Sequence, residues 1–174
     1  MAKVSFNKLG LKINDDIKTL IFNEQEIEIK QYLTMNTKLD IIGNILNYCA
    51  EDEKFYNPGK LEVYYVLEII DNYTNIKFTE KQKEDPCKLY DLLVSSGLKD
   101  IIFREIPKQD LDSIYTMIFK VIESVYKYNN SIYGLLDNIS NDYNGLNFNI
   151  DDMWKKLSDR ENVEFLQEII QKMG

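Results

Sequence analysis

The amino-acid sequence predicts a mainly α-helical protein: a helical bundle with one long central helix and a small N-terminal antiparallel β-ribbon (α+β). Three observations lead there. From residue 34 onward, apolar residues recur every three or four positions, the period of a helix with one buried face. Residues 3–33 instead alternate apolar with polar, the period of a half-buried strand. Residues able to cap a helix stand just ahead of most of the helical stripes. The chain has 174 residues and no linker long enough to divide it, so one domain is expected over 1–174, with the ribbon at 3–33 and the helical body at 34–174.

The ribbon is read as three strands. In "KVSFNKLGLKI", Val4 and Phe6 alternate with polar residues, and Leu9, Leu11 and Ile13 do the same. Ile17–Phe22 and Glu26–Leu33 follow, separated by the polar Asn23-Glu24-Gln25, a length suited to a hairpin loop. On the last arm Ile27, Ile29 and Leu33 face one way and Glu26, Glu28 and Lys30 the other. Three strands suffice for a stable sheet. Its exposed edge can recruit a further strand, so self-association through the ribbon edge is expected.

The helices follow in order. Thr34 caps the first, whose expected stripe is Leu39, Ile42, Leu46 and Cys49. Asn57 caps the second. Pro58 takes its first position, where the missing N–H costs nothing, and Val63, Val66, Leu67 and Ile70 form its stripe. Thr79 caps a polar stretch, Pro86 restarts or kinks the helix, Leu89, Leu92 and Leu93 are its apolar residues, and Gly97 closes it. A short helix spans Leu98–Glu105. The longest is expected from Pro107 to Ser140, about 50 Å if straight at ~1.5 Å per residue. Its seam is Leu111, Ile114, Ile118, Val121, Val125, Tyr128, Ile132, Leu135 and Ile139, with a second row at Tyr115, Phe119, Ile122, Tyr126, Tyr133 and Leu136. Asn129-Asn130 and Gly134 weaken its middle. Asn149 and Asp159 can cap two last helices, carrying Met153, Trp154 and Leu157, then Val163, Leu166, Ile169 and Ile170.

Composition narrows the function classes. Hydrophobic residues make up 44% and charged residues 29%, proportions of a globular chain. The net charge of −8, with dispersed lysines, argues against nucleic acid, whose binders present a basic face. No apolar run approaches the ~18 residues of a membrane span. Cys49 and Cys87 are far apart and without CxxC spacing, which points to a reducing compartment such as the cytoplasm. Twelve tyrosines stand against one tryptophan. Tyrosine buries its ring while its hydroxyl stays wet, which suits shallow cores and contact surfaces, although base composition of the coding DNA also produces such a bias.

Catalytic chemistry is sparse. There is no histidine, so the commonest neutral general base, the Ser-His-Asp triad and histidine-ligated metals are missing. No glycine-rich phosphate loop occurs. The acidic sets Glu51-Asp52-Glu53, Asp110 with Asp112, and Asp151-Asp152 each have a structural explanation in loops or helix first turns. Neither an enzyme nor a cofactor is expected.

The order of ribbon, "FNEQEIEIKQYLTMNTKLDII" and "FTEKQKEDPCKLYDLLVSSGL" resembles small proteins encoded in the tail modules of tailed bacteriophages of low-GC Gram-positive bacteria, the tail assembly chaperones. The resemblance covers most of the chain as overall pattern rather than a diagnostic motif. It implies a noncatalytic protein of the host cytoplasm that coats the tape measure protein while the tail tube polymerises. Residues offered for such binding are Tyr115, Tyr126 and Tyr133 on the long helix, and Ile27 and Ile29 on the ribbon; the alternative for each is core. Two other classes remain open: an acidic phage-encoded inhibitor of a host enzyme or defence complex, and a structural protein of the virion.

Overall fold

The computed structural model describes residues 3–52, 55–131 and 134. The chain divides into two compact units, Met1–Lys120 and Val121–Gly174. Among the described residues there are six α-helices and two short antiparallel hairpins, the mainly α arrangement with an N-terminal β-ribbon that the periodicity predicts.

The ribbon has two strands rather than three. β1 (Ile17–Phe22) pairs antiparallel with β2 (Gln25–Lys30), in the register Ile17↔Lys30 to Phe22↔Gln25. The turn is Asn23-Glu24, both with positive φ (47° and 64°), the type I′ geometry that matches strand twist. The loop is therefore one residue shorter than its polar run suggests, because Gln25 joins the ladder. Ile27 and Ile29 are buried, with Leu33 beyond them. Glu26 and Glu28 face outward across from Ile21 and Thr19.

The expected first strand is absent. Residues 6–9 form a 3-10 turn, Gly10 adopts φ 60°, and every residue from Val4 to Ile13 is exposed. Alternation identifies a strand only where an edge receives it. The connecting Asn14-Asp15-Asp16 has no glycine to reverse the chain, and Asn14 instead accepts the Asp16 amide at 2.8 Å.

α1 (Met35–Cys49) starts where expected: the Thr34 hydroxyl accepts the Thr37 amide at 3.3 Å. Its face is rotated from the expected one. Lys38, Ile41, Ile42, Ile45 and Cys49 are buried, Leu46 is half-buried and Leu39 lies exposed. Lys38 is the reason, since it holds a place on the buried stripe through an ion pair. A second hairpin, absent from the sequence reading, joins α1 to α2: β3 (Ala50–Asp52) and β4 (Phe55–Tyr56).

α2 (Pro58–Tyr73) is the core helix. Asn57 caps it by accepting from the Gly59 and Lys60 amides at 2.9 and 3.1 Å. Leu61, Tyr65, Val66, Leu67, Ile69, Ile70 and Tyr73 are buried, a face wide enough to receive neighbours on several sides, while Val63 is only half-buried. At its end Thr74 and Asn75 run beside β2. Ile29 bridges Thr74, and the Asn75 amide reaches the Glu28 carbonyl at 3.3 Å. The outer edge of β2 is thereby covered.

The next three helices follow the predicted boundaries. α3 (Glu80–Lys83) carries a capping box between Thr79 and Gln82. Asp85 and Pro86 then start α4 (Pro86–Ser95), with Leu89 and Leu93 buried and Leu92 exposed. Gly97, at φ 75°, ends it and leads into α5 (Leu98–Glu105), where Ile102 is buried. α6 (Lys108–Asn129) is the longest among the described residues, about 33 Å at ~1.5 Å per residue. It is shorter than the expected Pro107–Ser140: after Asn129 the Ser131 amide turns back to the Tyr128 carbonyl at 2.9 Å. Ile132, Tyr133, the seam beyond them and the two helices expected after Asn149 lie outside the described residues.

Candidate interaction surface

Where α6 starts, a buried polar cluster sets its rotation. Lys38 Nζ of α1 lies 2.7 Å from Asp110 Oδ1. The Tyr73 hydroxyl donates to Asp110 Oδ2 at 3.0 Å, and the Tyr65 hydroxyl to the Leu111 carbonyl at 3.3 Å. Burial, then the charge of Asp110 and that hydrogen bond, hold the Tyr73 phenol well above its ordinary range. Tyr65 is raised as well, chiefly by burial. Both hydroxyls therefore stay protonated donors.

With that rotation Ile114 and Ile118 point inward, and Tyr115 and Phe119, one position further on, come to the surface at 45% and 44% exposure. Tyr65 presents its ring edge-on to Tyr115 at 5.5 Å and to Phe103 of α5 at 6.1 Å. Tyr115 and Phe119 lie 4.7 Å apart. Lys99 stands 5.6 Å over the Phe103 ring. Four aromatic rings from three helices thus form one patch, partly open to water. Such rings give large contact area with little side-chain entropy to lose.

Of the residues offered from sequence, Tyr115 belongs to this patch. Tyr126 is half-buried in the second unit, and Tyr133 lies outside the described residues. Ile27 and Ile29 are core, so the apolar residues that the hairpin shows to water are Ile17 and Ile21 on its other face. Phe103 and Tyr65 were missed. Only the packing of α5 and α2 beside α6 brings them to Tyr115, and no spacing within one helix signals that.

A second aromatic feature lies across α1 and α2. Tyr48 and Tyr64 stack at 4.5 Å and line a cleft together with Leu67, Glu68, Phe78 and Leu89. Burial raises the Glu68 carboxyl above its ordinary value, and a hydrogen bond from Asn44 at 3.2 Å opposes this. Among the described residues no three acidic, cysteine or histidine side chains gather to hold a metal ion, and no helix is long and apolar enough to cross a membrane. Cys49 is buried and its thiol pushed up to about 11, while Cys87 is exposed. No protein-family model, curated protein or solved structure matches the chain.

Proposed function

We propose that the chain is a noncatalytic tail assembly chaperone that binds a phage tape measure protein in the host cytoplasm while the tail tube forms. The observation that carries this reading is the aromatic patch of Phe103 on α5 with Tyr115 and Phe119 on α6, the helix whose rotation is held by Asp110. A tape measure is a long, helix-rich chain prone to aggregate. Its apolar helical faces suit a firm aromatic platform, and the net charge of −8 keeps the loaded complex soluble. The resemblance of most of the chain to tail assembly chaperones suggests the partner, and the aromatic patch is the surface that would suit it.

Co-expression tests the reading. The chain is expected to keep the tape measure protein of the same tail module in the soluble fraction and to copurify with it. A tape measure that stays insoluble beside abundant folded chain would overturn the proposal. Mass spectrometry of purified virions is expected to find the tape measure and not this chain.

A further inference from the structure

The N-terminal arm and the open edge of β1 form a matched pair that a single copy leaves unused. Val4 and Phe6 are each 72% exposed, and Leu9, Leu11 and Ile13 exceed half. A soluble chain seldom leaves five large apolar side chains in succession so open. Beside them, the outer edge of β2 is covered by Thr74 and Asn75, whereas among the described residues no backbone hydrogen bond reaches β1 (Ile17–Phe22) except from β2. An uncovered strand edge is a template for another strand.

The arm has the pattern that this edge would take. Leu9, Leu11 and Ile13 fall on one side of an extended segment, and Lys8 and Lys12 on the other. The side of β1 that meets the core ends in Leu20 and Phe22, both only half-buried. The opposite side carries Glu26 and Glu28 on β2, with Glu24 in the turn. An added strand lying ~4.8 Å beyond β1 would cover Leu20 and Phe22 with its leucines and bring its lysines to the side of the glutamates. The charges agree at longer range. Residues 1–13 hold Lys3, Lys8 and Lys12 and no acid, so the remainder is more acidic than the −8 of the whole chain.

The arm does not serve its own copy. Its connection to β1, Asn14-Asp15-Asp16, does not reverse the chain, and the arm lies in water with no backbone hydrogen bond to β1 among the described residues. We infer that two copies exchange arms: residues 3–13 of each become the third strand on β1 of the other. A two-fold arrangement fills both edges with both arms and leaves nothing to propagate a fibre. This does not depend on the tape measure reading, since it uses a different surface from the aromatic patch.

The test uses the full chain. At about 100 µM, where mass action favours association, light scattering is expected to give the mass of a dimer. Deleting residues 3–13 should give a monomer with unchanged far-ultraviolet circular dichroism, and so should the full-length triple substitution Leu9→Gln, Leu11→Gln and Ile13→Gln. Zero-length carbodiimide coupling of mixed light and heavy-isotope copies should join Lys8 or Lys12 to Glu26 or Glu28 between a light and a heavy chain. A monomer at that concentration, a dimer that survives both arm variants, or links found only within one copy would each overturn the exchange.

Discussion

Lys38 Nζ lies 2.7 Å from Asp110 Oδ1, with only 7% and 14% of the two side chains open to water. The pair joins the start of α6 to α1, and the Tyr73 hydroxyl completes it on the other oxygen. Removing one member of a buried pair leaves the other charged and unpaired, which typically costs about 3–5 kcal/mol. Asp110→Ala is therefore expected to lower stability by about 3 kcal/mol in urea titrations. Replacing both, as Lys38→Met with Asp110→Leu, should recover much of that loss. A double variant as unstable as the two single losses added together would show that the residues act separately.

Two glycines should respond to the same substitution with opposite sign. Gly43 sits inside α1, with open space where a Cβ would go. Gly43→Ala is expected to stabilise by about 0.5–1 kcal/mol, the usual helix preference. Gly97 also has open space, but its φ of 75° penalises any side chain, so Gly97→Ala should destabilise by about 1–2 kcal/mol. Thermal melts of the two variants on either side of wild type check both signs together.

Glu68 links stability to pH. Its carboxyl is raised in the fold, mainly by burial, above the ordinary 4.5. The fold therefore holds this proton more tightly than the unfolded chain does. The resulting stability is fully present below 4.5 and is lost as pH rises through the folded value. Glu68→Gln lacks that loss, so the stability of the variant relative to wild type should climb between about pH 4 and pH 7. A difference that stays constant across that range would refute the assignment.

The two thiols should separate cleanly. Cys49 is buried with its thiol pushed up to about 11, whereas Cys87 is exposed. At neutral pH a thiol reagent is expected to modify one cysteine quickly and the second only after denaturant is added. Peptide mapping should assign the fast one to Cys87.

Local chemistry was readable in the sequence; chemistry made by packing was not. Thr34, Asn57 with Pro58, Thr79, Pro86 and Gly97 mark helix limits through their own side chains or backbone, and each stands where it was read. The face of α1 was misplaced because Lys38 looks like a solvent residue until Asp110, 72 positions later, is beside it. The arm was misread because its alternation matches a strand and only the missing neighbour reveals otherwise. Tyr115 was offered from its place on the long helix, but Phe103 and Tyr65 lie beside it only through contacts between helices.

The binding claim is tested most directly by the affinity of the tape measure protein for wild type and for Tyr115→Gln with Phe119→Gln. Both side chains are substantially exposed, so the variant should fold as wild type does. Loss of two aromatic anchors typically costs at least ~1.4 kcal/mol each, so affinity should fall about 100-fold by calorimetry. Equal affinities for the two proteins would contradict the account.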